Sequence, residues 1–85
     1  MTDWRIDNVN RLRGQSFRHK KYYQRSETWD HDHCTACWAK FMLREGYLTE
    51  GYAVTEAYKF GADYEWVCES CFADLSEIME WKVVQ

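Results

Sequence analysis

All four cysteines of the chain fall into two Cys-x-x-Cys pairs, Cys34 with Cys37 and Cys68 with Cys71. Within each pair the two-residue interval lets both sulfurs face one ion. Two pairs can then surround that ion with four thiolates at roughly 2.3 Å, the tetrahedral shell of a structural Zn2+ site. Thirty residues separate the pairs, more than the roughly 15–20 of the common double-pair pattern. A longer connection changes the loop and not the site, and it leaves room for a hairpin that returns the second pair to the first. Four sulfurs also close the shell, whereas a catalytic zinc keeps one position open for water. No acid–base constellation accompanies the cysteines, and neither pair sits in the βαβ context of a thiol–disulfide oxidoreductase. The expectation is a structural metal site and no enzyme.

Three histidines bear on the ligand count. His31 and His33 directly precede Cys34, but neighbouring residues rarely converge on one ion. They are expected to support a sulfur from outside the ligand shell or to be exposed. The polar run Asp30-His31-Asp32-His33 reads as a solvated loop, with a second metal site as the alternative. His19 belongs with a run of basic residues and is expected in solvent.

Eighty-five residues make one domain, 1–85, near the size at which a core alone gives marginal stability. Chains this short commonly depend on a metal or on disulfides. Hydrophobic residues make up 46% of the chain, too many for a disordered segment. Met1 to Asp7 lacks the apolar stretch of a secretory signal, and no apolar run approaches the roughly 18 residues of a membrane span. A reducing cytoplasm is therefore expected, where paired cysteines favour metal over disulfides. Two structural disulfides are the competing use of the same residues.

The cysteines need elements to hold them. Ile6, Val9 and Leu12 have the spacing of a short helix, ended by Gly14. Ser16 to Arg25 reads as a strand, with Phe17, His19, Lys21 and Tyr23 on one face and Arg18, Lys20 and Tyr22 on the other. Such a mixture of lysines and aromatics fits a sheet edge. Cys37 to Leu43 is expected as a helical turn stopped at Gly46. Tyr47 to Thr55 and Tyr64 to Cys68 should pair antiparallel across a long connection, with turn residues at Phe60 to Asp63. From Cys71 the period becomes helical: Cys71, Phe72, Leu75, Ile78, Met79 and Val83 share an apolar arc, and Ser70 is a candidate N-cap. The expected architecture is α+β, a small zinc-stabilised domain of antiparallel strands with a C-terminal helix.

In rubredoxin and ordinary zinc-ribbon knuckles, glycine follows the second cysteine and tolerates a left-handed turn. Trp38 and Phe72 stand there instead, which argues against a rubredoxin-like iron carrier. Phe72 is accounted for if Cys71 already lies in the first helical turn, where backbone N–H groups stabilise a thiolate. A knuckle, a hairpin and a helix donating the last two ligands resembles the treble-clef arrangement, from Cys34 to about Trp81. The string Trp29 to Phe41, with Trp66, Cys68, Cys71, Phe72, Trp81 and Lys82 downstream, resembles a group of small bacterial proteins. That resemblance implies a shared fold and metal site and no particular activity.

Charge divides the chain unevenly. Residues 1–45 carry nine Lys/Arg against six Asp/Glu, and residues 46–85 carry two against eight. The acidic second half, together with the lack of catalytic equipment, favours a protein-interaction or regulatory module, of which an immunity-type protein is one example. Trp81 is expected either to fold back onto the domain from a frayed helix end or to be an exposed anchor for a partner, since tryptophan is enriched at interface hot spots. The alternative is a nucleic-acid-binding zinc module. It would use Arg11, Arg13, Arg18, Lys20, Lys21 and Arg25 of the basic segment 11–25 on phosphates, and Tyr22 or Tyr23 for base stacking.

Overall fold

Asp3 sets the first element. Its carboxylate accepts the Arg5 backbone N–H at 3.0 Å and caps α1 (Trp4–Val9). The computed structural model describes residues 3–84. A 3-10 turn, Asn10–Leu12, extends α1, and Gly14 stops it in the left-handed region at φ 78°. Val9 and Leu12 are fully buried, so the expected helical spacing is the face that meets the core.

The remaining elements are β1 (Ser16–Lys21), β2 (His31–His33), β3 (Lys40–Met42), β4 (Glu50–Val54), β5 (Trp66–Val67), α2 (Glu69–Met79) and β6 (Lys82–Val83). Four strands make one sheet in the order β5-β4-β1-β6; β1–β4 and β4–β5 are antiparallel, and β6 runs parallel to β1. β2 and β3 form a separate antiparallel pair. The result is a small α+β domain with antiparallel strands and a C-terminal helix, as the sequence predicts.

Several expectations about individual elements change. β1 is an interior strand and not an edge, because β6 pairs with its second side. Its mixed face is explained by partial cover. Phe17 packs against Phe72 and Trp81, with ring centroids at 5.4 and 5.1 Å, while His19 and Lys21, two and four residues on, are exposed. The segment after Cys37 is a strand and not a helical turn. Phe41 alone is buried between half-buried Lys40 and Met42, which is period two, and β2 supplies the backbone partner.

The end of α2 accounts for two further corrections. Cys71, Phe72, Leu75 and Met79 are buried as expected, but Ile78 is exposed and Val83 belongs to β6. The helix stops because Glu80 turns left-handed at φ 58°, and the Trp81 N–H bonds back to Ser76 O at 2.9 Å. Trp81 is therefore not an exposed anchor. Its indole is only 7% exposed, stacks on Phe72 at 5.3 Å, and donates its Nε1–H to Leu12 O at 2.9 Å. The chain folds the residue back as a bolt between α2 and the N-terminal helical segment.

Candidate metal centre

The first pair of cysteines sits in a tight loop leading from β2 to β3. The Cys34 N–H donates to Ala39 O at 2.7 Å, and the Trp38 N–H donates to Cys34 O at 2.8 Å. Closing that loop requires a left-handed residue directly after Cys37, and Trp38 adopts φ 70°. Trp38 thus takes the backbone conformation glycine holds in ordinary knuckles, despite the steric cost, of order 1–3 kcal/mol for a non-glycine residue. At this loop the absence of glycine therefore does not prevent the left-handed turn.

The second pair sits at the start of α2. Cys68 is the N-cap itself, in place of the expected Ser70, and its sulfur accepts the Cys71 N–H at 3.5 Å. A sulfur at the cap satisfies one of the N–H groups that a helix start leaves open. Cys71 lies in the first turn, as Phe72 at the following position suggested. The two pairs are joined through β5: the Thr35 N–H donates to Trp66 O at 2.8 Å, and the Cys68 N–H reaches Cys34 Sγ at 3.3 Å. That stitching closes the thirty-residue gap.

Cys34, Cys37, Cys68 and Cys71 place their sulfurs within 4.8 Å of one another, with no disulfide among them. Cys37 and Cys68 are 3.8 Å apart, the edge of a tetrahedron whose metal–sulfur bonds are roughly 2.3 Å (~3.8 Å). The donor set is therefore compatible with one tetrahedral thiophilic ion. Burial pushes the Cys34 thiol up to about 11, against the lowering effect of the Cys68 and Cys37 N–H groups. Burial also raises Cys71, although the Arg5 guanidinium opposes it. At Cys37 burial acts upward too, but the Ala39 N–H and the neighbouring sulfurs outweigh it and leave that thiol below its ordinary value.

Arg5 is the site residue that sequence reasoning missed. From α1 its Nη1 reaches Cys71 Sγ at 3.5 Å and Asp74 Oδ2 at 3.1 Å, while Asp3 holds Nε and Nη2. One divalent ion with four thiolates leaves a charge of about −2, and a guanidinium against a sulfur offsets part of it. Nothing in local sequence pattern points from residue 5 to residue 71.

The other candidates lie outside the cysteine cluster. His31 and His33 are exposed on β2, and His31 Nδ1 meets Asp30 Oδ1 at 2.8 Å. Their segment is a strand and not a solvated loop, because its backbone pairs with Lys40–Met42, and Asp32 accepts the Tyr22 hydroxyl at 2.8 Å and the Trp29 indole N–H at 2.9 Å. His19, expected in open solvent, lies 2.8 Å from Glu69 Oε2 on an exposed surface shared with Glu50.

In the basic segment, proposed as the alternative phosphate-binding face, Lys21 and Arg25 are exposed while several other cations have partners within the chain. Arg11 pairs with Glu65, Arg18 with Glu56 and Lys20 with Asp63, and Arg13 donates to Ile78 O. Tyr22 is 3% exposed and has no ring face for a base. The Tyr23 hydroxyl is taken by Asp63. No known protein family, curated protein or solved structure matches this chain.

Proposed function

We propose that this chain is a small zinc-stabilised protein-interaction or regulatory module of the reducing cytoplasm, in which Cys34, Cys37, Cys68 and Cys71 hold one structural Zn2+. The observation that carries this reading is the convergence of four sulfurs, from the β2–β3 loop and from the start of α2 thirty residues on, to within 4.8 Å without a disulfide. The order of knuckle, β4–β5 pair and helix beginning at the last two cysteines supports the treble-clef resemblance. All four ligand positions of a tetrahedral ion would be filled by sulfur, which gives the ion a structural task with no position open for water. Folding free energy then depends on the ion, because the apo site gathers buried, repelling thiolates or protonated thiols that nothing else holds together.

Native mass spectrometry of reduced protein, purified without an affinity tag or added metal, tests this directly. One zinc per chain is expected, and chelation should remove the ion and the near-ultraviolet signature of packed aromatics together. Cys71→Ser should behave like the chelated protein. A folded, metal-free wild type with unchanged melting after chelation, or two internal disulfides, would overturn the proposal. Bound iron would redirect it to electron transfer.

A further inference from the structure

Trp38 holds the most exposed large hydrophobic side chain among the described residues, at 62%, on a backbone with φ 70°. Glycine would satisfy the loop without strain, and a smaller residue would satisfy it without exposing an indole. The loop therefore carries both costs for a side chain that contributes nothing to the core, and such strain concentrates where a side chain has a task.

Its surroundings indicate what that task is. Trp38 borders a cleft of about 290 Å³ between α1 and the cysteine loop, whose other walls include Asp7, Arg11, His33, Thr35 and Glu65. Glu65 is fully engaged: its carboxylate accepts from Arg11 at 2.9 Å, from Tyr58 at 2.9 Å and from Thr35 at 3.0 Å. Arg11 and Glu65 thereby neutralise each other. Asp7 is exposed and has no hydrogen-bond or ion-pair partner among the described residues, which leaves the cleft with one uncompensated negative charge beside an open aromatic face. That pair is complementary to a flat cation, which stacks on the indole and hydrogen-bonds to the carboxylate.

We infer that this cleft is the docking point for an arginine side chain of a partner protein, with Trp38 stacking on the guanidinium and Asp7 pairing with it. The inference rests on the reading of the chain as an interaction module, and it names the surface that Trp81, being buried, does not provide. Arginine suits the site better than lysine because its planar group offers a stacking face and a fork of N–H donors at once.

The test uses the metal-loaded full chain and three short capped peptides that differ only at one central residue: arginine, lysine or citrulline, the neutral isostere. Binding is followed by the indole N–H resonances in two-dimensional NMR. The arginine peptide should shift the Trp38 indole saturably, and citrulline should bind at least about tenfold more weakly, as should the arginine peptide to Asp7→Asn. Trp38→Gly should lose binding while keeping its metal and melting no lower than wild type, since glycine takes the left-handed turn freely. An absence of saturable shift at about 10 mM arginine peptide, equal binding of lysine or citrulline, or undiminished binding to Trp38→Gly would overturn the inference. Metal content and melting of the wild-type sample report separately on the structural-zinc reading, so the two can fail independently.

Discussion

At Gly51 there is no room for a methyl group. A Cβ built there would lie 2.9 Å from two ring carbons of Phe41 and 2.9 Å from Val67 O. The ring could shift, but the carbonyl belongs to the backbone of β5, which leads directly into Cys68. Gly51→Ala should destabilise the metal-loaded protein by about 1–3 kcal/mol, a fall in melting temperature of roughly 4–8 °C per kcal/mol for a domain of this size. A melting curve superimposable on wild type would show that β4 and β5 can separate at no cost. The cysteines themselves give a prediction about pH. Cys34, raised by burial to about 11 from 9.0, and Cys71, raised by burial, are protonated in the metal-free fold near neutrality. Without metal, such raised thiols favour the fold below pH 9 and cost stability as pH rises through the folded values. A bound ion reverses that sign, because it must displace the protons and competes better as pH rises. Zinc affinity measured against a chromophoric chelator should therefore increase from pH 6 to pH 8, with proton release on binding. A flat profile would mean that the thiols are not the ligands.

Among the elements, α2 has two ends with different tasks. Its N-terminus carries Cys68 and Cys71, and its C-terminal turn sends Trp81 back under Leu12. Arg5 on α1 touches Cys71 and Asp74 at the first end, and Trp81 holds the same helical segment at the other. Trp81→Ala should remove a packed indole and leave Leu12 O without its donor, costing about 3–5 kcal/mol. Denaturant titration of the metal-loaded protein is the check, and the loss should appear even though residue 81 is distant in sequence from every cysteine except those of α2. An effect below about 1 kcal/mol would mean that the C-terminal segment is not part of the cooperative unit. Asp63 has a similar linking position between strands. It is left-handed at φ 63°, accepts both Lys20 and Tyr23, and offers its carbonyl to the Trp66 indole at 3.0 Å. The turn before β5 is thereby fastened to β1.

Over the whole molecule the uneven charge of the two halves is used internally. Arg5–Asp74, Arg11–Glu65, Arg18–Glu56, His19–Glu69 and Lys20–Asp63 each join the basic first half to the acidic second. Individually, exposed pairs contribute little; together they offset much of the positive charge of the first half. Among the described residues no helix is long and apolar enough to cross a membrane. The large aromatics divide in the same way: Trp66, Phe17, Phe41 and Tyr22 fill the core, while Trp4 and Trp38 are left outside it.

The sequence by itself determined the pairing of the four clustered cysteines, the antiparallel β4–β5 pair, the short first helix and most of the apolar face of α2. Each depends on residue type and local period: two-residue spacing in the cysteine pairs, alternation in strands, and three-to-four-residue recurrence in helices. Local pattern carries no information about what covers a face or which distant backbone supplies a partner. Only the tertiary structure decided that β6 lies beside β1 and makes it interior, that Phe41 belongs to a strand, and that Trp81 turns inward. It alone placed Arg5 against Cys71 and put Trp38 in a glycine's conformation. Those outcomes depend on contacts between residues far apart in the chain, where packing and hydrogen-bond satisfaction outweigh local preference.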